Sequence, residues 1–180
     1  MTGDGRSTSD IGHPTSDMKP FKLIIGLGNN DPQYANTYHN VGHLFVDYLE
    51  KHYPALAAKK TAGYMNESGA SVGAMMKKTF ASPEHTLIVH DESDIYIGEY
   101  KISTARGAAG HKGVQSVFDA TGSTDFTRLR VGIRPKTEGA RHPKAETFVL
   151  KKISATGKKQ FMDVFQKAAN ELFGAPEIPQ

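Results

Sequence analysis

The chain contains no cysteine. That absence excludes disulfide bonds, thiolate nucleophiles and cysteine-ligated zinc, and it permits a reducing compartment. No apolar run approaches the ~18 to 20 residues of a membrane-spanning helix. The N-terminus also lacks the basic-then-apolar order of a secretory signal. The expectation is a soluble protein of the cytoplasm that makes no use of a membrane. Residues 1–19 are poor in apolar side chains, with Ile11 and two methionines set among serine, threonine, glycine and aspartate. So little apolar surface cannot offset the cost of ordering, and a disordered extension is expected there. Residues 20–180 are then one domain.

The rest of the chain is better supplied. With 38% apolar residues in a total of 180, there is enough to build one real core. The net charge is only +3, but residues 101–160 hold 13 Lys and Arg against 4 Asp and Glu. Such a segment is either a solvated surface or a basic face for a polyanion. Lysines and arginines that displace phosphate counterions supply most non-specific nucleic-acid affinity.

Phe21 to Leu27 is a nearly continuous apolar run ending near glycine, the pattern of a buried central strand. Val41, Phe45, Tyr48 and Leu49 recur at helical spacing, with Asn40 placed to cap the first turn and Pro54 to stop the helix. Ala55 to Lys60 carries no clear period. Ser68 to Phe80 reads as a second helix with Val72, Met75, Met76 and Phe80 on one side. A short buried strand, Thr86 to Val89, enters the acidic cluster His90-Asp91-Glu92-Ser93-Asp94, and Glu99 to Ser103 is a further strand candidate. A glycine-bearing loop precedes a helix from about Gly113 to Ala120 and a strand at Arg128 to Ile133. Gln160 to Phe173 closes the chain with a helical apolar stripe. Strands alternating with helices imply an α/β sandwich: a central mixed, partly parallel sheet flanked by helices.

Gly-Leu-Gly-Asn-Asn-Asp after the first strand invites a dinucleotide-binding reading. Asp31 stands where the third glycine of that fingerprint belongs, and Pro32 follows, which argues against it. His39 and His43 are four apart, but no zinc-protease glutamate accompanies them and a helix start falls between them, so no metal site is expected. His43 reads as a packing residue. Polar clusters stand where elements begin or end: Asn29 with Tyr34, His39 and Asn40; Met65 with Asn66; and His90 with Asp91. In an open α/β sheet such strand-end loops converge on one crevice. A lone imidazole there can take a proton from water, a carboxylate can fix its tautomer, and amide N–H groups can hold a developing oxyanion. Those residue types describe a hydrolase that needs neither metal nor thiol, although Asp, Asn and His are also common in turns and caps.

The segment KLIIGLGNNDPQYANTYHNVGHLFVDYL resembles the opening signature of bacterial-type peptidyl-tRNA hydrolases. GYMNESG, IVHDESDIYIG, and GHKG running on to RLRVGI follow in that family's order, and FVLKK before an amphipathic helix is similar to its ending. The resemblance spans about Phe21 to Phe173. It implies hydrolysis of the ester between peptide and tRNA, with no cofactor, by a monomer that binds the acceptor arm and 3′ end. His39 resembles the family's catalytic histidine and Asp91 the aspartate that orients it. Asn29 and Asn66 match asparagines lining the scissile ester, and Tyr34, Met65 and Asn40 match substrate-binding positions. His111 matches a histidine near the acceptor end, while Lys101 and Arg130 fall at positions for the tRNA backbone.

Two departures stand out. The family's GHNG block reads Gly110-His111-Lys112-Gly113, so an ammonium replaces a substrate-contacting amide that both donates and accepts. Only six residues separate Tyr53 from Lys60, where typical members carry roughly twenty more, enough for two strands of usual length. The chain is then either a minimal enzyme with a smaller sheet or an inactive RNA-binding relative. Retention of His39, Asp91, Asn29 and Asn66 together favours the enzyme, because a binding protein has no need for an oriented imidazole.

Overall fold

The apolar run after Phe21 becomes strand β1 (Leu23–Gly26), buried at every position. The computed structural model describes residues 20–136 and 144–176, so the extension expected over 1–19 lies outside it. The other strands are β2 (Ala58–Lys60), β3 (Thr86–Tyr96), β4 (Tyr100–Thr104) and β5 (Thr127–Arg134). The four long helices are α1 (Val41–His52), α2 (Ser68–Thr79), α3 (Lys112–Thr121) and α4 (Ala155–Phe173). The sheet order is β2-β1-β3-β5-β4; all neighbours run parallel except β4, antiparallel to β5 at the edge. The expected α/β sandwich is therefore present, with a mostly parallel sheet.

Alternation along the strands divides the core. Ile24, Val89, Leu129 and Val131 face α1 and α4, where they meet Phe45, Phe161 and Phe165. Leu23, Ile25 and Ile88 face α2 and α3 and meet Val72, Val114 and Val117. Each such side chain contributes about 1.5–3 kcal/mol by leaving water. Gly26 lets α1 settle on β1: a Cβ there would stand 2.1 Å from the Gly42 carbonyl oxygen. That close approach carries His39 and Asn40, just ahead of α1, to the carboxyl end of β1.

Some sequence expectations need correction. Ala55 to Lys60 is no featureless link, since β2 pairs with Ile24 to Gly26 directly after a short turn. Six residues therefore suffice to start the edge strand. Phe80 does not join the α2 stripe. It caps the helix in the left-handed region (φ 52°) and is 89% exposed, because that backbone turn breaks the helical phase. Asn40 precedes α1 but makes no side-chain cap bond; its amide is committed to Asn29 instead. Strand β3 runs through the acidic cluster to Tyr96, and α4 begins at Ala155, five residues ahead of Gln160, where the Ser154 hydroxyl accepts from the Gly157 N–H.

Candidate active site

β1, β2 and β3 are parallel, so the loops after β1 and β2 and the distal part of β3 lie at one end of the sheet. Asn29 is 7% exposed there. Its N–H donates to Asn40 Oδ1 (2.8 Å), and Asn40 Nδ2 returns a bond to its carbonyl (2.9 Å). The Met65 N–H donates to Asn29 Oδ1 at 2.8 Å. Asn29 Nδ2 has no partner among the described residues. A cavity of about 370 Å³ is lined by Asn29, Tyr34, His39, Met65, Asn66 and Lys112, with the half-exposed Tyr64 and Leu150 also on its wall.

Behind this cavity a carboxylate organises histidines. Asp91, 3% exposed, receives His39 Nδ1 and His111 Nε2 on the same oxygen, Oδ1, each at 2.9 Å. An ionised carboxylate only accepts, so both ring nitrogens carry protons. His111 Nδ1 accepts from the Val114 N–H (3.2 Å), which fixes its tautomer as Nε2–H. His39 is protonated on Nδ1, and its Nε2 is left with a free lone pair. His90 completes the cluster: its Nδ1 donates to the Asp91 carbonyl (2.7 Å), and the Arg128 guanidinium donates to its Nε2 (3.3 Å). Its ring meets His111 edge to face, 4.7 Å between centroids.

The electrostatics follow from burial and from these partners. Burial pushes the Asp91 carboxyl up, but His111 and His39, by charge and by hydrogen bond, more than offset that and hold it well below the usual carboxylate range. Burial also works against charging His39, yet Asp91 outweighs it and the imidazole titrates above its ordinary 6.5; Lys112 pulls in the opposite sense. Burial and the neighbouring His111 push His90 well below 6.5, so it stays neutral.

His39, Asp91 and His111 could in principle hold a metal, since their ligand atoms lie within 4.8 Å of one another. The two 2.9 Å separations are hydrogen-bond distances, shorter than the ~3.3 Å between neighbouring ligands of a tetrahedral ion bonded at ~2.0–2.1 Å. His43 stands apart from this group, buried on the far side of the Asn29 loop with its Nε2 on Thr61 Oγ1 at 3.2 Å.

Nine of the eleven expected residues thus meet around one crevice: Asn29, Tyr34, His39, Asn40, Met65, Asn66, Asp91, His111 and Lys112. Lys101 and Arg130 lie outside it, directly opposite each other on β4 and β5. Lys101 is exposed, while Arg130 is half-buried, with Nε and Nη2 each 2.9 Å from Glu92 Oε2. Glu92 also lines a second cavity, about 380 Å³, that His39, Asp91, His111 and Lys112 share. Sequence reading missed Arg128, whose Nη2 holds the Arg106 and Gly107 carbonyls at 2.9 Å and so ties the loop before His111 to the sheet. An arginine near the start of a largely apolar strand was the available signal.

A sequence model of the peptidyl-tRNA hydrolase family matches residues 23–63 and 54–175. The chain belongs to the peptidyl-tRNA hydrolase family. It is 37% identical to the peptidyl-tRNA hydrolase of Mycolicibacterium vanbaalenii over 170 residues, covering 82% of this chain and 86% of that protein. It is 39% identical to the Bordetella parapertussis enzyme of the same name over 153 residues, covering 73% and 71%. A crystal structure of peptidyl-tRNA hydrolase from Acinetobacter baumannii superposes with a TM-score of 0.73 at 27% identity, over 89% of this chain and 98% of that one. The two stretches of this family member that match the family model meet in 54–63, the segment already seen to be short. The other departure, Lys112, is exposed and borders both cavities beside His39. No helix among the described residues is long and apolar enough to cross a membrane.

Proposed function

We propose that this chain hydrolyses the ester joining a peptide to the 3′ end of tRNA, as a cytoplasmic monomer and without a metal or other cofactor. One observation carries the reading: His39 lines the cavity while its Nδ1–H is tied to a buried carboxylate, which leaves Nε2 as the nitrogen able to take a proton. His39 Nε2 takes a proton from water as the oxygen bonds to the ester carbonyl carbon. Asn29 Nδ2 and Asn66 are the amides placed to hold the developing oxyanion. The carbon–oxygen bond to the terminal ribose then breaks, and the imidazolium returns the proton to that ribose oxygen. The products are a peptide carboxylic acid, which ionises by releasing its proton to solvent, and a tRNA hydroxyl. Asp91 keeps the imidazole in its working tautomer and stabilises its charged form. Tyr34 and Met65 form cavity wall, and His111 fixes the second donor on Asp91.

The test is release of the blocked amino acid from an N-blocked aminoacyl-tRNA. An RNA-binding relative without activity would retain the tRNA and release nothing. The relatives described above carry hydrolase names, and the histidine–aspartate pair is intact here, so release is the expected outcome.

The basic face makes a separate prediction. Replacing Lys101 and Arg130 with alanine should weaken tRNA binding and flatten its salt dependence, because fewer counterions are released. Lys101 contributes the more accessible charge, since Arg130 is already paired with Glu92. A salt slope equal to that of the unsubstituted protein would place the RNA elsewhere.

Lys112 is proposed to hold a phosphate near the acceptor end. Lys112→Asn should then weaken tRNA affinity, most visibly at low salt, where screening is least. Unchanged affinity with faster cleavage would show instead that the lysine impairs a site that an amide serves better.

A further inference from the structure

We infer that Thr61 and His43 are positioning residues for Asn29, acting through the backbone of Gly28; the inference rests on the hydrolase reading of the site. Thr61 follows the short edge strand β2 and is 1% exposed, and His43 lies one turn into α1 at 6%. The Thr61 hydroxyl accepts the Gly28 N–H at 3.2 Å and faces His43 Nε2 at 3.2 Å. It also lies within donating reach of two carbonyls, Gly28 at 3.2 Å and Gly26 at 3.4 Å.

A hydroxyl has one proton to give and two lone pairs. With His43 as the Nε2–H donor, the hydroxyl proton is free for one of these carbonyls and every valence of Thr61 is used. Burial, helped by the Lys60 charge, lowers the His43 pKa to about 4, which keeps that neutral donor form at neutral pH. The His43 ring also packs flat on the loop. A Cβ on Gly28 would lie 2.7 to 2.8 Å from three of its ring atoms.

The consequence is a loop held from two sides. From α1 comes the His43 ring, and from the residue just ahead of it the Asn40 amide, whose oxygen accepts the Asn29 N–H at 2.8 Å. From the segment after β2 come the Thr61 hydroxyl, the Gly63 carbonyl on the Asn30 N–H at 2.9 Å, and the Met65 N–H on Asn29 Oδ1 at 2.8 Å. Neither Thr61 nor His43 lines the cavity that holds His39 and Asn29. Their action is on where Asn29 stands relative to Asn66, and a displacement of about 1 Å in such a group can cost ~10²-fold in rate.

The experiment compares Thr61→Val, which keeps shape and loses the hydroxyl, with Thr61→Ser, which keeps the hydroxyl. On N-blocked aminoacyl-tRNA, Thr61→Val is expected to lower kcat by ~10-fold or more at unchanged KM. The pKa of its pH–rate profile should not move, since the His39–Asp91 contact is untouched. Thr61→Ser should restore most of the rate. Hydrogen–deuterium exchange gives a readout independent of activity: amides of the 27–30 loop should exchange faster in Thr61→Val and not in Thr61→Ser. His43→Ala is the second variant should Thr61→Val fail to fold, and it too should slow turnover and loosen the same amides. A Thr61→Val protein with unaltered rate and exchange, or equal losses in the valine and serine variants, would overturn the inference. If the unsubstituted chain releases nothing, the hydrolase reading fails, while the exchange result still reports on the clamp.

Discussion

Replacing His39 with alanine is expected to lower single-turnover cleavage of peptidyl-tRNA by ~10² to 10⁴ while leaving tRNA affinity nearly unchanged. The range is that of a positioned general base. The imidazole is only partly exposed, it lines the cavity, and with Nδ1 committed to Asp91 its Nε2 carries the available lone pair. Among the described residues lining that cavity His39 is the one imidazole: the rest are amides, tyrosines, a thioether, an aliphatic chain and the amine of Lys112. The phosphate contacts proposed above are assigned to the basic face and to Lys112, so binding should survive. Equal single-turnover rates in the variant and the parent protein would remove His39 from the mechanism.

The second large effect belongs to Asp91. Its Oδ1 receives two imidazole N–H groups on a side chain that is 3% exposed. Asp91→Asn removes the charge and replaces one acceptor oxygen with a donor. The amide oxygen can still accept, but it cannot stabilise the His39 imidazolium as the carboxylate does. Cleavage should fall by about 10²-fold or more. The His39 pKa, which Asp91 raises, should drop, moving the rising limb of the pH–rate profile to lower pH even as the plateau falls. Stability should respond as well. The folded-state pKa of Asp91 is depressed, so its contribution is complete above the unfolded value of ~3.9 and is lost as pH falls toward the folded one. The asparagine variant lacks that term, and the difference between its melting temperature and the parent's should shrink in acid. A variant that keeps full rate and an unmoved profile would contradict the orienting role.

How much of this was legible before the structure depends on whether the signal was local. The Phe21 run, the stripe from Val41 to Leu49 and that from Phe161 to Leu172 each became the expected element, because the periodic residues are those the core buries. β2 gave no such signal: it is three residues long and only Ala58 is buried, so its strand character comes from pairing with β1. The continuation of β3 past Val89 was hidden for another reason. Asp and Glu disfavour strands on average, but here Asp91 is satisfied by two histidines and Glu92 by Arg130. Asn40 looked like a cap because capping is a local rule, whereas its actual partner, Asn29, is eleven residues back. At the site, the pairing of His39 with Asp91 spans 52 residues and came from resemblance to a family, since no periodicity encodes it. The tautomers of His90 and His111 and the buried Arg128 depend on contacts between loops and sheet, which composition and spacing do not carry.

The pH dependence of single-turnover cleavage by the unsubstituted protein tests the role of His39 most directly. His39 must be unprotonated to accept a proton from water, and its pKa lies above the ordinary imidazole value because of Asp91. The rate should therefore rise with pH through a single ionisation above ~6.5 and then level off. A rate that stays flat from pH 5 to pH 8, with chemistry established as the slow step, would contradict the assignment of His39 as the base.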